Sequence, residues 1–440
     1  MARRRELLDP VAESEIRVIE RAFEEAGIYV ETEPDPAGQG MDFMYQKGVL
    51  LVRQEYLGQV IEIASPTGRD WAPEVQGVVR GVSLLSLRGS RFDEYDDDDG
   101  DGGQDDGGQD DGGRDQEPDQ DGEPRRLTSV LAALAVIDRR LPPSAATPNT
   151  VVTVCPVVPC MAHEPEEVRR HAEPEPAPRH SRRHGERVRV YLADTGLVDG
   201  ATSHQWLNGV QGDLDDRVHQ HNILPYAGHG TFGAGVARCV SPGIELYCAN
   251  VFNIAGSALE ADAVIKLTGA LNDGYDIINL SASTSTRLDL PLLTFEAWLA
   301  DLAQHPGVAC VAPAGNNDSS QLFYPASMEG IIAVGALDRH WRYRADFSNY
   351  GKWVDVYAPG TGLVNAWAHG RYDCYVPPNV HVVRHFHGMA RCSGTSFAAP
   401  IVTGRIANRM SATGETATEA AAALLTTAHV RPGVGRILLP

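Results

Sequence analysis

The stretch Arg187-Val188-Arg189-Val190-Tyr191-Leu192-Ala193-Asp194-Thr195-Gly196 marks a change in the texture of the chain. An apolar run of strand length ends here in a carboxylate and a turn-forming glycine. From Val188 onward such runs alternate with helical patterns. Strands are expected over 187–193, 244–251, 276–280, 308–313 and 331–336, and helices over 259–271, 292–303 and 395–410. This alternation predicts an α/β domain over 188–440, doubly wound around a mostly parallel sheet. Ligands of open α/β sheets gather at the carboxyl ends of the strands, so Asp194 stands where chemistry is usually done.

Upstream the pattern is different. Residues 14–27 read as an amphipathic helix with Ile16, Ile19, Ala22, Phe23 and Ala26 on one face and Gly27 as its stop, within an N-terminal helical segment over 1–40. A strand-like run at 47–53, a helical stretch through Ile63, an apolar run at 77–87, a helix over 127–140 and a strand at 150–154 follow. That order predicts a small α+β domain over 41–156 with split βαβ, ferredoxin-like topology. Residues 157–187, rich in Glu, Pro, Arg and His, read as a linker.

The chain has 440 residues and a formal net charge of -21. Residues 93–123 hold 16 acidic residues against the single Arg114, so 15 of those net charges lie in one segment. Its Asp-Asp-Gly-Gly-Gln repeats carry almost nothing apolar, and the insertion 93–124 is expected to be disordered. The nine-residue calcium-binding repeat is absent from it. With no concentrated basic face, nucleic acid is not an expected partner. No apolar run of membrane-spanning length and no secretory signal are visible, so a cytoplasmic location is the default and no membrane partner is expected. The seven cysteines are not a dense disulfide framework. Cys374 and Cys392 bracket an apparent loop, and spacing alone leaves their pairing open.

Four motifs carry the chemistry. The first is Asp194-Thr195-Gly196, which also matches the fingerprint of aspartic peptidases. Without a second copy in the chain, that mechanism would need a homodimer. The second is Gly228-His229-Gly230-Thr231, running into the small residues Gly233 to Ala237, with His229 as the candidate base. The third is Ala314-Gly315-Asn316 at the end of a buried strand, which could offer an amide N–H to a developing oxyanion or simply form a turn. The fourth is Gly394-Thr395-Ser396-Phe397-Ala398-Ala399-Pro400, a serine at the opening of a helix, a place that also suits a simple cap.

In this order the four motifs resemble the subtilase family of serine peptidases, over residues 188–425. Asp276-Ile277-Ile278-Asn279-Leu280-Ser281, Tyr324-Pro325-Ala326-Ser327 and Asp346-Phe347-Ser348-Asn349-Tyr350-Gly351 add to the likeness. The resemblance implies a subtilisin-like serine endopeptidase acting on a protein or peptide substrate through an acyl-enzyme. Ser396 would be the nucleophile, His229 the base and Asp194 its orienting carboxylate, with Asn316 in the oxyanion hole. Ser281, Ala282 and Ser283 would line the substrate strand, without the family's glycine pair, and Ala314 and Gly315 a pocket wall. No cofactor is required, and no metal site is assigned. Structural calcium is compatible with the family, although no ligand set matches residue by residue. The insertion 367–392, with His381, His385 and His387, reads as a surface loop near the cleft. The N-terminal domain resembles in topology the propeptides that chaperone and inhibit subtilases. A zymogen is therefore expected, with its inhibitory region folded back over the cleft and cut within 161–187. A catalytically silent interaction protein on the same fold is the rival reading.

Overall fold

The computed structural model describes residues 10–34, 41–68, 70–93, 128–154, 164–169, 172–174, 176–177, 187–376 and 378–440. The acidic insertion therefore lies outside the described residues, apart from Asp93, as do Cys155 and Cys160.

Helix α1 (Pro10–Glu25) begins four residues earlier than expected and ends before Gly27, which takes a left-handed φ of 75°. Its stripe of Ile16, Ile19, Ala22 and Phe23 packs on Met44 and Val151. There follow β1 (Val30–Pro34), β2 (Met41–Arg53), α2 (Leu57–Ala64), β3 (Val75–Val79), β4 (Val82–Ser86), α3 (Ser129–Ile137) and β5 (Ala146–Thr153). The strands pair antiparallel in the order β5-β2-β4-β3, with β1 on β2. This is the split βαβ order read from the sequence. Alternation along β2 explains its two faces. Leu50 and Val52 meet α2 and α3 through Val60, Val130 and Leu134, while Leu51 points the other way onto Ala261 and Leu293.

The second sheet starts with β6 (Arg189–Asp194), followed by the short β7 (Gln211–Gly212), β8 (Val218–His219) and β9 (Asn222–Ile223). Next come α4 (His229–Val240), β10 (Glu245–Asn250), β11 (Ser257–Leu259), α5 (Glu260–Asn272), β12 (Ile277–Leu280), α6 (Leu293–Leu302), β13 (Ala309–Pro313), β14 (Ile331–Leu337) and β15 (Val356–Pro359). The chain closes with β16 (Leu363–Asp373), β17 (Val383–Cys392), α7 (Thr395–Thr413), α8 (Ala417–Thr427), β18 (His429–Arg431) and β19 (Gly435–Ile437). Nine strands order as β18-β19-β15-β14-β13-β12-β6-β10-β7, parallel throughout except for the terminal β18–β19 hairpin. Along β6, Val190 and Leu192 face the core shared by α4 and α7, whereas Tyr191 and Ala193 face that of α5 and α6. The central strands β12, β13 and β14 are apolar on both faces because helices cover both, so the runs read as continuous rather than alternating. Carboxyl ends of the central strands carry Asp194, Ser281 and Ala314 to one rim.

The expected surface loop at 367–392 is instead most of the β16–β17 hairpin, in a four-stranded sheet with β8 and β9. Its inward side chains Trp367, Tyr372 and Phe386 are buried, and burying them is what orders the hairpin. Cys392 pairs with Leu363 at one end, and Cys374 follows Asp373 at the other, about 30 Å away by strand rise. Both are free thiols, so that pairing is excluded by geometry.

Within the linker segment, Glu166 exchanges two backbone hydrogen bonds with Arg391, at 2.9 Å each. The buried Glu164 carboxylate accepts from the Tyr375 N–H at 2.9 Å and the Tyr372 hydroxyl at 3.3 Å. Residues 164–167 thus form a strap along β17. Among the described residues, no helix is long and apolar enough to cross a membrane.

Candidate active site

Asp194 closes β6 in a fully buried position, and the next N–H, of Thr195, donates to its Oδ1 at 2.8 Å. His229 opens α4. The preceding Gly228 has φ 81°, and a Cβ there would stand 3.1 Å from the Trp367 ring, so only glycine turns the chain into the helix here. His229 Nδ1 lies 2.7 Å from Asp194 Oδ1. The aspartic reading fails on this contact, because Asp194 faces an imidazole rather than a second carboxylate.

Ser396 lies in the first turn of α7, one residue before Phe397, whose ring centroid is 4.8 Å from that of His229. Small residues allow this closeness. A Cβ on Gly404 would press to 2.8 Å from Val240, so α4 and α7 touch nearly backbone to backbone. The Ser396 hydroxyl donates to the carbonyl of Val154 at 3.3 Å, and His229 Nε2 is buried with no hydrogen-bond partner among the described residues. Val154 belongs to the segment that ends β5.

Asn316 follows β13. Its Oδ1 accepts from both the N–H and the hydroxyl of Thr395, each at 2.9 Å. With the carbonyl end held by the residue next to Ser396, the amide NH2 end is presented at the head of α7. Asn349 braces the same loop. It donates through Nδ2 to Ala314 O at 2.9 Å, through its N–H to Gly315 O at 3.0 Å, and accepts from the Asn317 N–H at 2.9 Å.

Ser281 is fixed to β6 by its N–H on Ala193 O, and Ala282 is buried in the α5–α6 core. Ser283 exchanges backbone hydrogen bonds with Thr153, at 2.9 and 3.2 Å. On the opposite side β11 pairs antiparallel with β5, and the Val154 N–H donates to Gly256 O at 2.8 Å. Residues 151–154 therefore lie as the middle strand of a three-stranded groove ending at Ser396. Gly256 makes room for them, since a Cβ there would meet Val154 Cγ2 at 2.6 Å.

The family model described as Peptidase_S8, Subtilase family, matches residues 185–438. This chain belongs to the subtilase family. Its fold is accordingly subtilisin-like. Among curated relatives, a thermophilic serine proteinase of Bacillus sp. strain AK1 is 32% identical over 241 residues, covering 51% of this chain and 54% of that one. Subtilisin DY of Bacillus licheniformis is 33% identical over 239 residues, covering 51% of this chain and 76% of its own. A solved structure of the prenylagaramide maturation protease PagA aligns at 27% identity with TM-score 0.43, over 56% of this chain and 84% of that one. The chain thus spans about half the length of the first of these relatives.

This subtilase holds its site with residues that the motifs do not reveal. Asp215 and Arg217 form a buried ion pair beneath the Asp194 turn, and Glu260 is buried where β5 meets α5. A charge-rich Asp213-Leu214-Asp215-Asp216-Arg217 between the first two motifs was the available signal. Among the described residues no three His, Cys, Asp or Glu side chains are placed to hold a metal ion. No step below involves a metal ion.

Proposed function

We propose that the chain is a serine endopeptidase whose cleft is closed by its own N-terminal region. The observation that carries this reading is the Ser396 hydroxyl resting on a peptide carbonyl of a strand paired on both sides, beside the His229–Asp194 contact. In the reaction, Ser396 Oγ attacks the substrate carbonyl carbon as His229 Nε2 takes its proton. Asp194 holds the ring and offsets the charge it gains. The tetrahedral oxyanion is met by the Asn316 amide and the Ser396 N–H at the start of α7. His229 then gives the proton to the departing amine, leaving an acyl-enzyme. Water repeats the sequence and frees the acid. Ser283 and Gly256 supply the backbone groups that hold an extended peptide, as they hold residues 153 and 154 here.

Asn316→Ala tests the assignment of the oxyanion donor. Its kcat should fall about 10²–10³-fold, the size known for this donor in subtilisin, with KM little changed. Unchanged turnover would remove Asn316 from the mechanism.

On this reading residues 41–154 act as the inhibitory domain, with the acidic segment as an insertion within it. The bond first presented to Ser396 lies just after Val154, not within 161–187. A cut there would leave the 164–167 strap on its hairpin.

Glu260 makes the closure pH-dependent. Its Oε1 accepts from the Thr150 N–H of β5 at 3.2 Å, and Oε2 from the Thr294 hydroxyl at 2.8 Å. Burial raises its pKa from 4.5 to about 7, against these hydrogen bonds, which lower it. The closed state therefore binds the proton more tightly than the open one. To the extent that β5 supplies this burial, closure is favoured at low pH and weakens as pH rises through about 7. Hydrolysis of a small peptide by the full chain should rise across that window more steeply than in Glu260→Gln. Identical profiles would remove Glu260 from the control of closure.

A further inference from the structure

We infer that Asp215 and Arg217 are positioning residues, a buried pair that ties the Asp194 turn, the start of the His229 helix and the 250–257 wall of the groove into one unit. The inference rests on the catalytic reading above and adds the support on which it depends. Both side chains are fully buried, with Arg217 Nη1 3.0 Å from Asp215 Oδ1. Asp215 Oδ2 accepts from the Thr195 hydroxyl at 3.2 Å and from the Gly228 N–H at 2.8 Å. Thr195 follows Asp194, and Gly228 precedes His229. Thr195 Oγ1 accepts in turn from the Gly230 N–H at 2.9 Å. The residues on both sides of His229 are thereby referenced to the residue beside Asp194.

Arg217 extends the tie to the groove. Nη1 also donates to Thr195 O at 3.1 Å, Nε to Asn253 O at 3.1 Å, and Nη2 to Phe252 O at 2.5 Å and Asn250 Oδ1 at 3.2 Å. Asn253 Oδ1 then accepts from the N–H groups of Ala255, at 2.9 Å, and Ser257, at 3.1 Å, the neighbours of Gly256. Burying two charges costs several kcal/mol unless their hydrogen bonds are satisfied, and apolar residues would fill the same space at lower cost. The pair differs from such filler in where its hydrogen bonds go. Each ends on a segment that presents Asp194, His229 or the groove. Lysine cannot reproduce the planar fork that reaches these carbonyls together.

The test uses the full chain and a small chromogenic peptide ester. Thr195→Val removes the hydroxyl relay and leaves the ion pair intact. Its kcat should fall at least about tenfold with KM within about twofold, because a displaced imidazole slows chemistry more than binding. Thr195→Ser, which keeps the hydroxyl, should recover most of the loss. Arg217→Lys should lose kcat about ten- to a hundredfold. Thermal melts identify any variant that has simply unfolded. The low-field proton resonance of His229 Nδ1–H supplies a readout independent of turnover, expected to broaden or vanish in Thr195→Val. Folded Thr195→Val and Arg217→Lys with wild-type kcat and an unchanged resonance overturn the tie. A full chain opened by Val154→Asp that shows the resonance but hydrolyses nothing overturns the catalytic reading instead, and the resonance in the variants still decides the tie.

Discussion

Ser396→Ala is expected to lower peptide hydrolysis on the order of 10⁶-fold, the size seen when subtilisin loses its serine. Folding should be unaffected. Ser396 Oγ makes one hydrogen bond of 3.3 Å, and the α7 core rests on Phe397, Ala398, Ile401 and Val402. The loss is so large because the hydroxyl is the only atom of the trio that forms a bond to substrate. Asp194 and His229 act through it, so adding His229→Ala to Ser396→Ala should cost almost nothing further. Steady-state hydrolysis of a peptide amide checks both. A double variant several hundredfold slower than the single one would mean that His229 works on a different nucleophile.

The second large effect has the opposite sign. Val154→Asp in the full chain should raise hydrolysis of a small peptide about a hundredfold. Val154 is buried against Gly256 and the Tyr226 ring and shares the α5–α6 core. Uncovering a side chain of this size forfeits roughly 1.5–3 kcal/mol, and a carboxylate in the same place adds to the loss. A shift of that size moves a mostly closed population substantially towards an open groove. The backbone pairing of Thr153 with Ser283 remains and limits the gain. Comparison of the variant with wild type, and with Val154→Asp combined with Ser396→Ala as a blank, measures the effect. Equal rates would mean that residues 151–154 do not govern access.

The five central strands β6, β10, β12, β13 and β14 and the helices α5, α6 and α7 were legible, the strands because burial on both faces compresses them into short apolar runs such as Ile277-Ile278-Asn279-Leu280 and Ala309-Cys310-Val311-Ala312-Pro313. Strand β15 and helices α4 and α8 were not read. Asp194 and His229 were legible as a pair for a related reason. Close approach demands glycine beside them, and glycine leaves a motif. The β16–β17 hairpin was not legible. Its alternation is broken by a register shift between Ala366 and His369, and its outward residues include three histidines and two arginines that suggest a loop. Asp215 and Arg217 were hidden for another reason. Two charges in a loop normally face water, and nothing local says that four carbonyl oxygens from distant segments join the neighbouring Asp215 carboxylate on one guanidinium. The strap at 164–167 escaped too, since β-addition uses backbone groups that every residue carries.

Covalent labelling with a fluorophosphonate, followed by peptide mapping, tests the central claim most directly. A single adduct on Ser396 is predicted, formed slowly in the full chain and faster once residues 1–154 are removed. An adduct on any other residue, or none in either form, would contradict it.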